Sequence, residues 1–201
     1  MRSFALAALL LAGCPDRTLS IVTPTQGGAV IKKIPVSADI DILFVIDNSA
    51  STSDKQTLFA QNFPKFVQAL DAFPTGRPNL HVGVIDSTVD IGTSKFGSSC
   101  PSPDPDDDGK FQKPGPGSCA ATPDGYFITD VKTADGTRQV NYAGTLEDTF
   151  SCVAQIGDTG CGFEAPLEAM KRSLDGSHAE NSGFVRDGAY LAVIFLTDED
   201  D

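Results

Sequence analysis

The chain is poor in the residues that most often bind nucleic acid or act in catalysis. Its 201 residues contain no tryptophan and only two histidines, and 15 lysines and arginines stand against 27 aspartates and glutamates. The resulting net charge of -12 leaves no basic face to replace phosphate counterions, which argues against a nucleic-acid partner. No GxSxG motif is present, and neither His81 nor His178 is placed to activate a nucleophile. We therefore expect a protein that is not an enzyme.

The N-terminus lacks an apolar run of the roughly 20 residues that a membrane-spanning helix needs. Its run from Phe4 to Ala12 follows a single positive charge and is typical of a secretory signal. The run ends in Leu-Ala-Gly before Cys14, which resembles the bacterial lipobox. The resemblance implies that residues 1–14 are a signal peptide and that Cys14 is lipidated. The protein is then exported and anchored in the cell envelope as an outer-membrane lipoprotein, facing the periplasm or the surface. A plain secretory signal with an incidental Cys14 is the alternative.

Four further cysteines follow Cys14, and none of them belongs to a CxxC pair. An even number of cysteines in an exported protein indicates two disulfides, for which three pairings are possible. Because closing a short loop costs the least entropy, we expect Cys100 to pair with Cys119 and Cys152 with Cys161. A zinc site is the alternative, but the spacings favour disulfides.

Two segments precede the first helix. Residues 15–38 are rich in proline, threonine and glycine without a sustained period, which predicts a tether. From Ile40 to Ile46 the chain is almost continuously apolar, as in a parallel strand that is covered on both faces. We therefore place the start of the folded domain, residues 39–201, at this strand.

The rest of the chain alternates between helical and strand patterns. An apolar helical face is predicted by steps of three and four residues, at Phe59, Phe63, Phe66, Leu70 and Phe73. A second core strand, at Leu80 to Ile85, is followed by a disulfide-containing insertion over residues 87–144. Within the insertion a turn signal joins residues 126–131 to residues 138–143, which predicts a hairpin.

Two predicted helices, residues 146–156 and 163–174, lead to a last apolar strand within residues 189–201. This order predicts an α/β fold with a doubly wound, mostly parallel sheet flanked by helices. Such a domain ordinarily continues beyond its last strand here, so we expect the C-terminal part of the domain to be missing.

Polar side chains follow the first and the last apolar strand. Asp47, Ser49 and Ser51 come after the first, and Thr197 and Asp198 come after the last. Ligands bind beyond the carboxyl ends of parallel strands, so we expect these groups to meet. Carboxylates and hydroxyls are hard oxygen ligands that suit Mg²⁺, with Mn²⁺ or Ca²⁺ possible, and not zinc or copper. A helix cap and turn is the simpler alternative for the first cluster.

The segment Asp47 to Ser51 matches the DxSxS motif of the von Willebrand factor A domain, and Thr197-Asp198 resembles its later TD element. The resemblance implies a vWA or Rossmann-like fold with a metal-ion-dependent adhesion site, where an acidic side chain of a protein partner completes the metal shell. A third loop of that family supplies a threonine, for which Thr159 is the candidate, although Cys161 crowds the loop. Together with the lipobox, FVIDNS, GCGFEAPLEAM and AVIFLTDEDD are similar to predicted lipoproteins of myxobacteria and their relatives.

The predicted function is a lipid-anchored envelope protein that uses a divalent cation to bind an acidic group on a protein partner, with the membrane contacted through the anchor alone. Two alternatives stay open: a structural envelope scaffold with a vestigial metal site, and a metal-dependent hydrolase. The stretch DPDDDG at residues 104–109 resembles the start of a calcium loop, but its twelfth position is Gly115 rather than glutamate. We expect a solvated acidic loop there.

Overall fold

The computed structural model describes residues 39–90, 107–113 and 123–198. The signal and lipobox, the tether, Cys100, Cys119 and the acids after Asp198 lie outside the described residues. The predictions for them stay predictions.

The described residues form five strands, three α-helices and one short 3-10 helix. In chain order these are β1 Asp39–Ile46, α1 Ser53–Asp71, β2 Asn79–Asp86, β3 Ile128–Lys132, β4 Arg138–Val140, α2 Leu146–Val153, α3 Pro166–Leu174, the 3-10 turn Ala179–Asn181 and β5 Tyr190–Leu196. The predicted order of elements is confirmed.

The strands form one mixed sheet in the order β4-β3-β2-β1-β5. Strand β1 is central and runs parallel to both β2 and β5, whereas β3 pairs antiparallel with β2 and β4 antiparallel with β3. The α/β class is therefore confirmed. The predicted hairpin is also present, and it extends the sheet on the β2 side, a position that the sequence did not predict.

Strand β1 is apolar without interruption from Ile42 to Ile46, where both of its faces are buried. Ile42, Phe44 and Ile46 pack into a cluster with α1 and α2, while Leu43 and Val45 pack into a second cluster with residues of α3. The Phe44 ring lies 6.1 Å from the Phe63 ring of α1 and 4.8 Å from the Phe150 ring of α2. Burial on two faces is what a continuous apolar run predicts.

The helices differ from their predicted bounds at two ends. Helix α2 ends at Val153 rather than at Ile156, with Ala154 as its C-cap. Helix α3 begins at Pro166 rather than at Phe163, and Pro is favoured in the first turn because its missing N–H has no partner to lose there. The residues between these two helices form the loop that reaches the candidate site.

The predicted last strand, β5, is present but is less buried than β1. It lies at the edge of the described sheet, and Tyr190, Leu191 and Phe195 are exposed. The acidic loop also differs from its prediction, because Asp107 is buried and Asp108 pairs with Arg172 of α3. Asp108 additionally accepts a hydrogen bond from the backbone N–H of Asp90, so it is a structural residue rather than a solvated one.

Candidate metal centre

The candidate site lies where β1 and β5 end side by side. Ile46 is the register partner of Leu196, and the backbone N–H of Asp47 donates to the Leu196 carbonyl over 2.8 Å. Parallel pairing therefore delivers the residues that follow the two strands to one edge of the sheet. The predicted convergence of the two clusters is present in the structure.

Asp47 is the most buried member of the site, with no exposed surface. Its Oδ1 accepts a hydrogen bond of 2.7 Å from the backbone N–H of Ser49, and its Oδ2 accepts one of 3.2 Å from Thr197 Oγ1. These bonds fix the carboxylate between the ends of β1 and β5. They supply no positive charge to it.

The serines join Asp47 to the second carboxylate. The hydroxyls of Ser49 and Ser51 lie 3.1 Å apart, and Ser51 Oγ donates to Asp198 Oδ1 over 3.2 Å. The structure thus links the four residues, Asp47 through the backbone N–H of Ser49 and Asp198 through the two serine hydroxyls. Asp198 lies on the solvent-exposed side of this group.

Asp47 differs from Asp41 and Asp130, two buried aspartates of the sheet, in having no ion-pair partner within 4.0 Å among the described residues. Asp41 pairs with Arg186 over 2.7 Å, and Asp130 pairs with Arg77 over 3.0 Å and with Arg138. Within the described residues no Lys, Arg or His side chain lies within 4.0 Å of the Asp47 carboxylate. A buried carboxylate without an ion-pair partner is costly to keep ionised, so the arrangement is compatible with a bound cation.

The turn after β1 is held by side chains at the start of α1. Thr52 Oγ1 donates to the carbonyls of Asp47 and Ser49, each over 2.8 Å. Gln56, which is buried on α1, donates from Nε2 to the Asp47 carbonyl over 2.8 Å and to the Gly157 carbonyl over 2.7 Å. Gln56 therefore ties the loop after α2 to the turn that presents Asp47.

A second anchor lies three residues further along that loop. The backbone N–H of Gly160 donates to the Asn48 carbonyl over 2.8 Å, and Asn48 Oδ1 accepts from Thr88 Oγ1 over 2.9 Å. A Cβ atom on Gly160 would lie 2.2 Å from Asn48 Oδ1, so only glycine fits here without a shift. Residues 157–160 are thus fixed beside the candidate site at both ends.

Thr159 lies between these two anchors but is not joined to the network. It is exposed and makes no hydrogen bond within the described residues. The loop lies beside the candidate site, as predicted. The contact of the Thr159 hydroxyl with a cation stays a prediction.

Two cysteines flank this loop. Cys161 is buried, and its backbone N–H donates to Thr88 Oγ1 over 3.1 Å. Cys152, in α2, is buried as well, and both residues are disulfide-bonded. Because Cys100 and Cys119 lie outside the described residues, the pairing of the four cysteines stays a prediction.

Lys55 supplies a positive charge at the outer side of the site. Its Nζ lies 2.9 Å from Asp198 Oδ2 and donates to the Ser51 carbonyl over 2.7 Å. The hydrogen bond with Lys55 holds the pKa of Asp198 below its usual value, and the same bond raises the pKa of Lys55. Asp198 is therefore ionised at neutral pH and available as an oxygen ligand.

The donor set has a definite chemical character. It contains two carboxylates and two hydroxyls, which suit Mg²⁺, Mn²⁺ or Ca²⁺. Across the described ranges no group of three or more His, Cys, Asp or Glu side chains is placed to hold a metal ion. A cation at this edge would thus depend on Ser49 and Ser51 as well as on the carboxylates.

Sequence reasoning missed the residues that support the site. Asn48 and Gly160 stand in the segments FVIDNS and GCGFEAPLEAM but were given no role there, and Gln56 belongs to no motif. A signal for Gln56 did exist, because it precedes Phe59 by three residues and Phe63 by seven and so shares their apolar face. A polar residue on a buried face needs a partner, and here the partners are backbone carbonyls of the site.

No protein-family model, curated protein or solved structure matches the chain. The resemblance to the von Willebrand factor A domain therefore rests on the motifs and their placement. Among the described residues, no helix combines the length and the apolarity that crossing a bilayer requires.

Proposed function

We propose that the chain is a metal-dependent binding protein of the von Willebrand factor A type. Asp47, Ser49, Ser51 and Asp198 hold one divalent cation, Mg²⁺ before Mn²⁺ or Ca²⁺, and Thr159 is a further candidate ligand. The observation that supports this most is the fully buried Asp47 carboxylate, which has no cation within 4.0 Å among the described residues and is bonded only by the Ser49 backbone N–H and the Thr197 hydroxyl in that part of the chain.

The charge of the site indicates what kind of partner it takes. Two serine hydroxyls are neutral ligands, so the cation keeps an attraction for a further anionic oxygen. A chain with a net charge of -12 repels acidic partners over most of its surface, and a bound cation neutralises the two site carboxylates and can itself accept an anionic oxygen. We therefore propose that an acidic side chain of a protein partner binds at the cation.

The proposal extends to the location of the protein. Lipidation at Cys14 would hold it in the cell envelope as an exported lipoprotein, with the tether of residues 15–38 between the lipid and the domain. The membrane is contacted through the anchor alone, and nucleic acid is no partner. The binding role requires adhesion or assembly and no turnover, so the chain is proposed not to be an enzyme.

The test is titration of the full chain with Mg²⁺ and with Mn²⁺ in a calorimeter. We expect saturable binding at one site, lost in Asp47→Asn, because the amide removes the charge that attracts the cation. Asp124→Asn is the matched control, since Asp124 is an exposed aspartate on the loop before β3. Binding of both ions by Asp47→Asn as tightly as by the unchanged chain would disprove the site.

The partner class is tested on the metal-loaded chain. A short peptide with one central glutamate and its glutamine counterpart are titrated in Mg²⁺ and again in excess EDTA. We expect binding of the glutamate peptide in Mg²⁺ only. If the chain binds metal but shows no preference for the glutamate peptide, the proposed cation site stands and a scaffold role is favoured over adhesion.

A further inference from the structure

Lys55 is the only described cationic side chain within 4.0 Å of either carboxylate of the site. We propose that Lys55 is an internal competitor for the metal: its ammonium holds Asp198 in the metal-free chain and releases it when a divalent cation binds. Lys55 then sets the metal affinity of the site. This inference rests on the proposed function.

The closest contacts of Lys55 are with groups of the site, although Asp54, outside it, also lies 3.8 Å from Nζ. Its Nζ lies 2.9 Å from Asp198 Oδ2 and donates to the Ser51 carbonyl over 2.7 Å. Ser51 Oγ donates to the other oxygen of Asp198, Oδ1, over 3.2 Å. Both oxygens of Asp198 are therefore engaged within the chain. A cation that takes Asp198 as a ligand has to weaken at least one of these bonds.

The position of Lys55 in its helix is unfavourable for a positive charge. Helix α1 begins at Ser53, so Lys55 lies in the first turn. Positive charge is unfavourable there because the N-terminal end of a helix is itself partly positive. Asp198 compensates for this local cost, since the pair is close and charge-assisted.

Lys55 is also able to leave without disturbing the fold. Its side chain is 39% exposed, and the lysine stem has four flexible carbons that can turn its ammonium into solvent. With Lys55 in place the two carboxylates and one ammonium sum to a net charge of -1. With Lys55 turned away the net charge is -2, which matches a divalent cation.

The test is a titration with Mn²⁺ alone, followed by the electron paramagnetic resonance signal of the free ion. Lys55→Met keeps the length of the stem and removes the charge. We expect it to bind Mn²⁺ about three- to tenfold more tightly than the unchanged chain, because one exposed ion pair and one repulsion are removed. Lys55→Arg, which restores the charge, is expected to bind with the affinity of the unchanged chain.

Lys65→Met is the matched control. Lys65 lies on the same helix, is exposed and donates to Asn62 Oδ1 over 2.8 Å, away from both site carboxylates. It makes the same change in net charge, so its Mn²⁺ affinity is expected to equal that of the unchanged chain.

The outcomes separate this inference from the proposed function. If the unchanged chain binds Mn²⁺ and Lys55→Met binds it equally or more weakly, Lys55 is not a competitor while the metal site stands. If Lys65→Met tightens binding as much as Lys55→Met, the effect is one of overall charge and the inference fails. If neither the unchanged chain nor Lys55→Met binds Mn²⁺, the metal site fails and the competition with it.

Discussion

Ser51 donates a hydrogen bond of 3.2 Å to Asp198, although 147 positions separate the two residues in the chain. The bond forms because Ser51 follows β1, Asp198 follows β5, and the two strands pair in parallel. A change in the register of β5 by one residue would turn its side chains to the opposite face of the sheet. The candidate site therefore depends on the pairing of β1 with β5 as much as on its own residues.

Asp47→Asn is expected to stabilise the metal-free chain, by about 1 kcal/mol, because it removes a buried charge that has no ion-pair partner. Asparagine retains an oxygen that can accept from the Ser49 backbone N–H, a bond that is 2.7 Å long in the structure. The free energy of unfolding in urea, measured in EDTA, tests this. Addition of Mg²⁺ should then stabilise the unchanged chain and not the variant.

Asp41→Asn is the control for that prediction. Asp41 is buried like Asp47 but pairs with Arg186 over 2.7 Å. Removing its charge takes the closer carboxylate from Arg186 and leaves only Asp39, 3.7 Å away, so we expect a loss of about 3 kcal/mol. A loss of stability in Asp47→Asn similar to that in Asp41→Asn would show that Asp47 is a structural residue.

Gln56→Met is expected to lower both stability and metal affinity. The substitution removes the hydrogen bonds of Gln56 Nε2 to the Asp47 and Gly157 carbonyls, with an expected loss of about 2 kcal/mol. Because the loop at 157–160 is then released from α1, we also expect weaker Mn²⁺ binding. Urea unfolding and Mn²⁺ titration measure the two effects.

Gln61→Met, at an exposed position of the same helix, should change neither. A loss of stability with unchanged Mn²⁺ affinity would show that the loop at 157–160 does not contribute to metal binding.

Gly160→Ala is expected to destabilise the chain by about 2 kcal/mol through overpacking. The new Cβ would lie 2.2 Å from Asn48 Oδ1, and Asn48 is buried and bonded to Thr88. Thermal or urea unfolding measures the loss. In a double-mutant cycle with Asn48→Ala, the clash disappears, so the two substitutions should cost less together than the sum of each alone. Simple additivity would contradict a direct contact.

His81 should make the stability of the chain depend on pH. Burial holds its pKa below the usual value of 6.5, and its Nδ1 lies 2.8 Å from the Phe184 carbonyl. The unfolded chain therefore takes up a proton before the folded chain does. The contribution is fully present above about pH 6.5 and is lost as the pH falls toward the lower pKa of the folded state.

The comparison with His81→Asn isolates this contribution. The asparagine amide can still donate to the Phe184 carbonyl but does not titrate. Between about pH 7.5 and pH 5.5, the free energy of unfolding should fall more steeply in the unchanged chain than in the variant. Carboxylates affect both proteins alike over this range, so equal slopes would exclude His81 as the cause.

The sequence was sufficient to predict the elements that are buried on both faces and those whose apolar residues recur at a regular spacing. The uninterrupted run Ile42–Ile46 predicted β1, and the spacing of Phe59, Phe63 and Phe66 predicted α1. Strand β5 shows the limit of this reasoning. A run of apolar residues reports that a segment is apolar, not that neighbouring elements cover it, and three of the side chains of β5 are exposed.

The site was predictable where its residues follow strands directly. Asp47 and Asp198 could be placed together because the ends of parallel strands share an edge. Lys55, Gln56 and Asn48 could not, since each acts through a contact that depends on how a helix or loop packs against that edge. Tertiary packing of this kind leaves little trace in the spacing of residues along the chain.

The order of the strands along the chain has a consequence for the synthesis of the protein. Strand β1 is among the first elements of the domain to leave the ribosome, while β5 is the last of the five strands. A nascent or prematurely terminated chain therefore presents Asp47 and the serines without Asp198. The proposed cation site would therefore be assembled only once β5 has been made and has paired with β1.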